Sequence, residues 1–182
     1  AVRPPGHHAE SETAMGFCFF GNVALGAKYA LDSHNLSRVA IVDFDVHHGN
    51  GTQDILWNEK RTLTITSQQM PLWPGTGEQH EKGAFGNVLN VPLPPNSDGA
   101  HMRSMYKEKV FPRLVNFDPD LILISAGFDA HRRDPLAQLL WETEDFAWLT
   151  REICKIALRC CNGRVVSVLE GGYDLNALAE AA

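Results

Sequence analysis

The run Val39-Ala40-Ile41-Val42, followed at once by Asp43-Phe44-Asp45-Val46-His47-His48-Gly49-Asn50-Gly51, leaves few folds open. A short, wholly apolar and mostly β-branched run reads as a strand buried on both faces, as in a parallel sheet. Similar runs recur at residues 121–124 and 165–169, separated by stretches of helical period. Strands alternating with helices predict an α/β fold, a parallel sheet covered by helices on both faces. Ligands in such sheets bind beyond the carboxyl ends of the strands. Here those ends carry Asp45 and His47, then Ser125-Ala126-Gly127-Phe128-Asp129, then Glu170-Gly171-Gly172-Tyr173.

The remaining elements follow from period and punctuation. Residues 3–8 are a loop, because prolines and glycine forbid regular structure. Residues 16–34 are expected to be a helix, with Phe17, Phe20, Ala24, Ala27 and Leu31 on its apolar face. The first strand covers 38–43, a short helix 49–57, a β-branched strand 62–66, a long loop 67–86 and another strand 88–92. Residues 98–117 read as helical, with Met102, Tyr106, Val110 and Leu114 four apart and a break at Pro112. Thr143 is expected to cap a helix running to about Cys161. A last helix follows Asp174.

Side chains two apart on an extended segment point the same way. Asp45 and His47 therefore aim at one point, with Asp43 below them. Joined by Asp129 they make two oxygen ligands and one nitrogen ligand, a set that suits zinc and leaves a position for water and a substrate carbonyl. Chemistry on a carbonyl also needs a proton acceptor and donor, and His7 and His8 are the candidates. Adjacent imidazoles need partners; Asp43 pairs with His7 and Asn50 with His8. A carboxylate favours imidazolium and an amide does not, so His7 stays charged and His8 exchanges a proton. Tyr173 reads either as an oxyanion donor or as a tyrosine packing on the sheet. Phe17 and Trp73 read either as channel walls or as core and loop anchors. His34, His80 and His101 are expected on the surface, and His131 in a turn, outside the ligand set.

Composition narrows the classes. Of 182 residues, 44% are hydrophobic and 21% charged, with a net charge of -6. No basic stripe supports direct nucleic-acid binding, and no apolar stretch approaches a membrane span. The four cysteines have neither zinc-finger spacing nor a disulfide framework, which suggests a reducing, cytoplasmic setting. The chain opens without Met in a loop and stops in a helical pattern, so residues 1–182 are expected to form a single, partial domain.

Together, Arg3-Pro4-Pro5-Gly6-His7-His8-Ala9, the segment 43–52, Trp73-Pro74-Gly75-Thr76-Gly77, the segment 125–130 and Glu170-Gly171-Gly172-Tyr173 resemble the zinc-dependent histone deacetylase family. The likeness is to its class II-like bacterial branch, beside acetylpolyamine amidohydrolases and acetoin-utilisation proteins. It implies an arginase/deacetylase-like three-layer αβα fold and hydrolysis of an N-acetyl amide, in an acetyl-lysine peptide or a small acetylated amine. It implies Asp45, His47 and Asp129 as Zn2+ ligands, His7 and His8 as the acid/base pair supported by Asp43 and Asn50, and Tyr173 as the carbonyl-polarising hydroxyl. Gly16, Phe17, Trp73 and Leu136 become the walls of the acyl-lysine channel. Asp43, Asp45, His47 and Thr66 become a structural potassium site. The family often has Ser at the place of Thr66 and His at that of Gln68, and it normally carries further segments before and after the matched region. Two alternatives stand beside this reading. A two-manganese ureohydrolase wants another carboxylate where Gly49 stands, and a non-catalytic fragment would bind metal or acyl-lysine without turnover.

Overall fold

The apolar runs lie side by side. In the computed structural model, which describes residues 4–182, five strands form one parallel sheet: β1 (Val39–Asp43), β2 (Thr62–Gln69), β3 (Val88–Leu93), β4 (Leu121–Ala126) and β5 (Val165–Leu169). Their order is β3-β2-β1-β4-β5. Arg3, the first residue of the segments compared above, lies outside the described residues.

Alternation along β1 divides the core in two. Ala40 and Val42 pack with Leu63, Ile65, Ile122 and Ile124 under the helices α3 (Gly99–Met105), α4 (Phe111–Phe117) and α5 (Thr143–Cys161). Val39 and Ile41 face the other way, against α1 (Asn22–Ser33) and Leu56 of α2 (Asn50–Leu56). Apolar cover on both faces explains why β1 and β2 contain no exposed residue and why β1 is apolar from Val39 to Val42 without alternation. A short helix, α6 (Leu175–Ala181), follows Asp174, whose side chain accepts from the Ala177 amide.

The chain runs outward from β1 to β2 and β3, then returns to lay β4 on the opposite side of β1. The crevice between the ends of β1 and β4 is thus a topological switch point, where open α/β sheets bind ligands. Asp45 and His47 follow β1, and Asp129 follows β4.

Several boundaries differ from the sequence expectation. The first helix starts at Asn22, not at residue 16. Gly16 and Phe17 have φ of 55° and 64°, left-handed values that no helix contains. Phe17 and Phe20 are exposed, whereas Ala24, Ala27 and Leu31 are buried. Strand β2 runs on to Gln69, so the loop begins only at Met70. Residues 98–117 break in the turn before Pro112: Tyr106–Val110 form one π turn. Proline lacks an N–H and its ring crowds the carbonyl four residues back, which a wider turn relieves. Met102, Tyr106, Val110 and Leu114 still share the core. The cap of α5 is Glu142, not Thr143; Glu142 and Asp145 exchange side-chain-to-backbone bonds as a capping box. Strand β5 is not fully buried: it is an edge of the sheet, with Val166 and Ser167 exposed. No helix among the described residues is long and apolar enough to cross a membrane.

The π turn places the Tyr106 hydroxyl 2.7 Å from that of Ser67 on β2. Burial raises its pKa above the ordinary value and the charge on Asp43 adds to this, against the opposing bond to Ser67. A raised folded pKa gives stability that is complete below the unfolded value, near 10, and lost as pH rises beyond it. The stability gap between wild type and Tyr106→Phe should stay flat to about pH 9, then shift in favour of the variant by about 1.4 kcal/mol per unit above pH 10. Urea unfolding across that range measures it.

Candidate metal centre

Three chain segments converge at the switch point. Donor atoms of Asp45, His47 and Asp129 all lie within 4.8 Å of one another. His47 Nδ1 is 3.1 Å from Asp45 Oδ1 and 3.1 Å from Asp129 Oδ2. Each carboxylate also accepts from backbone. Asp45 Oδ1 takes the His47 amide at 2.9 Å, and its Oδ2 takes the Gly171 amide at 2.7 Å. Asp129 Oδ1 takes the Val46 amide at 3.0 Å. The ends of β1, β4 and β5 are thereby tied into one structure.

Both carboxylates are buried, and buried charge must be matched by opposite charge or hydrogen bonds. Burial raises the Asp45 carboxyl, but His7 and His47 outweigh this and hold it well below the carboxylate range. Burial and the neighbouring charge of Asp45 push Asp129 up. Burial disfavours imidazolium at His47, yet its bonds to Asp129 and Asp45 raise it to about 10. Two carboxylates competing for one cationic neighbour are a donor set matched to a metal ion. Two oxygens and a nitrogen fit zinc.

Glycines make the convergence possible. A Cβ on Gly127 would overlap Asp45, and one on Gly171 would overlap Asp129 and stand 2.5 Å from Asp45 Oδ2.

His7 and His8 are buried beside this cluster, their rings 4.0 Å apart. His7 Nδ1 lies 2.8 Å from Asp43 Oδ2, and His8 Nδ1 lies 2.8 Å from Asn50 Oδ1. Burial alone would lower His7, but the charges of Asp43 and Asp45 hold it well above its ordinary value. Burial and the charge on His7 bring His8 down to about 3. The loop bearing the pair is pinned by Glu170, fully buried, whose Oε2 accepts from the amides of Gly6 (2.6 Å) and His7 (3.1 Å) and whose Oε1 accepts from Ser125 Oγ (3.0 Å).

His48 turns the other way. Its ring contacts Thr76 Oγ1 at 2.8 Å and Gln53 Oε1 at 3.1 Å, which anchors the loop that carries Trp73. Gln68 braces the same loop through the Gly77 carbonyl. Thr66 pairs with Asp43 in the β1–β2 register, and its buried hydroxyl has no hydrogen-bond partner among the described residues. His34, His80 and His101 are exposed, and His131 is buried beside Phe146.

A cavity of about 50 Å³ opens over the cluster, lined by His8, Gly16, Phe17, His47, Trp73, Leu136 and Tyr173. Left-handed backbone at Gly16 and Phe17 lifts the Phe17 ring to the rim, 6.2 Å from that of Tyr173. The Trp73 ring meets His8 edge-on at 4.6 Å. A Cβ on Gly16 would overlap the His8 ring and stand 2.7 Å from Trp73. Larger hollows lie elsewhere, such as one of about 560 Å³ beside Phe19 and Phe20. Chemistry, not volume, therefore marks the site.

A parallel sheet covered on both faces, with this cluster at its switch point, is the arginase-like α/β architecture. The chain belongs to the histone deacetylase family: the model described as "Histone deacetylase domain" matches residues 1–182. It is 47% identical to "Histone deacetylase 10, chloroplastic" of Oryza sativa subsp. japonica, over 99% of this chain and 41% of that protein. A "Probable deacetylase" of Archaeoglobus fulgidus is 41% identical, over 96% of this chain and 49% of the relative. The crystal structure of the HDA15 HD domain superposes with a TM-score of 0.90 at 36% identity, covering 98% of this chain and 51% of that one. The chain thus spans about half the length of these relatives.

Gly171→Ala should weaken binding of an added divalent ion such as Zn2+ at Asp45, His47 and Asp129 by about tenfold or more while leaving cooperative unfolding intact. Competition with a chromophoric chelator measures it, and unchanged affinity would mean the close backbone approach at residue 171 is dispensable.

Proposed function

We propose that residues 1–182 belong to a single catalytic domain of a zinc-dependent amidohydrolase that removes acetyl groups from N-acetyl-lysine in peptides or from a small acetylated amine. The observation that carries this is the pairing of a three-donor cluster with two histidines of opposite tuning, one beside a carboxylate and one beside an amide. The reading needs no nucleic-acid or membrane partner. The four free thiols suit a reducing compartment such as the cytoplasm.

Asp45, His47 through Nδ1, and Asp129 would hold the zinc. When bound, zinc supplies a Lewis acid that polarises the amide carbonyl and lowers the pKa of water towards roughly 7. His8, neutral and bonded through Nδ1 to Asn50, keeps Nε2 free to accept a proton from the attacking water. It returns that proton to the amine nitrogen as the C–N bond breaks, leaving acetate and free amine. His7, charged beside Asp43, supplies fixed positive charge next to it. Tyr173 lines the same cavity, and its hydroxyl donates to the developing oxyanion. Gly16, Phe17, Trp73 and Leu136 hold the alkyl chain of the substrate and exclude water. The Thr66 hydroxyl beside Asp43, without a hydrogen-bond partner among the described residues, suits a structural potassium ion held with Asp43 and the backbone carbonyls of Asp45 and His47.

The two-manganese ureohydrolase alternative finds no support, since a Cβ at Gly49 would overlap Asp43 Oδ2 and no second carboxylate fits there. A non-catalytic role is separated from the proposal by turnover itself. The full-length protein should deacetylate an acetyl-lysine peptide, lose that activity to a chelator and regain it with zinc. His8→Ala and Tyr173→Phe should each lower kcat on the order of 10²–10⁴-fold with zinc content unchanged. Undiminished turnover after metal removal would end the proposal, and wild-type kcat in either variant would overturn its assigned role.

A further inference from the structure

We infer that Glu10 is a positioning residue for His8, acting through the side-chain amide of Asn50; this rests on the reading of His8 as proton acceptor. His8 can accept at Nε2 only if its other nitrogen carries the hydrogen. That requires Asn50 to present its oxygen, as it does at 2.8 Å. An asparagine amide is nearly symmetric in shape, and a half-turn about its last bond would offer nitrogen instead. His8 Nδ1 would then accept, the hydrogen would move to Nε2, and the proton-accepting atom would be lost.

Glu10 prevents the half-turn. Its Oε1 accepts from Asn50 Nδ2 at 2.7 Å. The other neighbours of that nitrogen are weaker: the His8 carbonyl is distant at 3.4 Å, and the Met15 sulfur, at 3.4 Å, is a thioether and a poor acceptor. A carboxylate accepts and cannot donate, so a reversed amide would set oxygen against oxygen. Glu10 is itself held, its backbone amide bonded to the Thr13 carbonyl at 3.0 Å. It lies on the far side of Asn50, in a hollow with Gln53, Asp54, Thr76 and Glu81, and not among the residues lining the cavity over the cluster. Its effect on chemistry must therefore pass through the amide.

The test compares Glu10→Ala, Glu10→Gln and Asn50→Asp, alone and with Glu10→Ala, in the full-length zinc-loaded protein. Kinetics on an acetyl-lysine peptide are read beside imidazole 15N shifts that report the His8 tautomer. Glu10→Ala should lower kcat about tenfold with little change in KM, and should populate the Nε2–H form of His8. Glu10→Gln keeps a carbonyl oxygen and should restore most of the activity and the wild-type tautomer. A carboxylate at position 50 has no wrong face and is repelled by Glu10. In the Asn50→Asp background, Glu10→Ala should therefore leave kcat unchanged or raise it. The inference falls if Glu10→Ala leaves the tautomer unchanged, if it costs the same factor in both backgrounds, or if Glu10→Gln drops as far as alanine. Absence of turnover in the wild type would count against the deacetylase reading, and the tautomer measurement would then decide the role of Glu10 alone.

Discussion

Everything at the switch point depends on keeping two aspartates ionisable in a place water does not reach. Asp45 and Asp129 are almost wholly buried, where an unmatched carboxylate would cost several kcal/mol. Amides from two segments meet that cost in part, donated by Gly171 and by the adjacent Val46 and His47. What they leave over is a deficit of positive charge. His47 fills it as imidazolium, and in the proposed holoprotein a metal does. The same deficit reaches His7 through Asp43 and Asp45, so the electrostatics of the histidine pair are set by the carboxylates beneath them.

The pair divides its labour by partner. Asp43 faces one imidazole and Asn50 the other. Two rings 4.0 Å apart cannot both hold a proton cheaply, so charge on His7 itself drives His8 neutral. The asymmetry needs no difference between the histidines. It is written into residues 36 and 42 positions further along the chain.

Those features were legible in the sequence to the extent that they follow from period and type. Apolar runs located the strands, and the period of two placed Asp45 and His47 on one side. The open-sheet rule brought Asp129 to the same end. Contacts made by backbone could not be read. Glu170 looks like a polar residue at a strand end, and only the fold reveals that it grips Gly6 and His7. Glu10 sits in an unremarkable Ala9-Glu10-Ser11 stretch, because its partner Asn50 is 40 residues away. The spacing of Phe17 mimics helical period although Phe17 lies outside the helix, because positive φ at two successive residues leaves no pattern of hydrophobicity. The π turn and the Glu142 cap were hidden for the same reason: local backbone geometry overrode the nearest helix signal.

The grip of Glu170 on the histidine loop has a consequence in time. The two partners are 164 and 163 residues apart, so His7 leaves the ribosome on the order of ten seconds before the side chain that anchors it. Until β5 is synthesised and docked, the loop lacks its Glu170 anchor, and Asp45 lacks the Gly171 amide. The nascent polypeptide therefore cannot assemble its reactive pocket early. Completion of the site waits until residues 170 and 171 have emerged and docked.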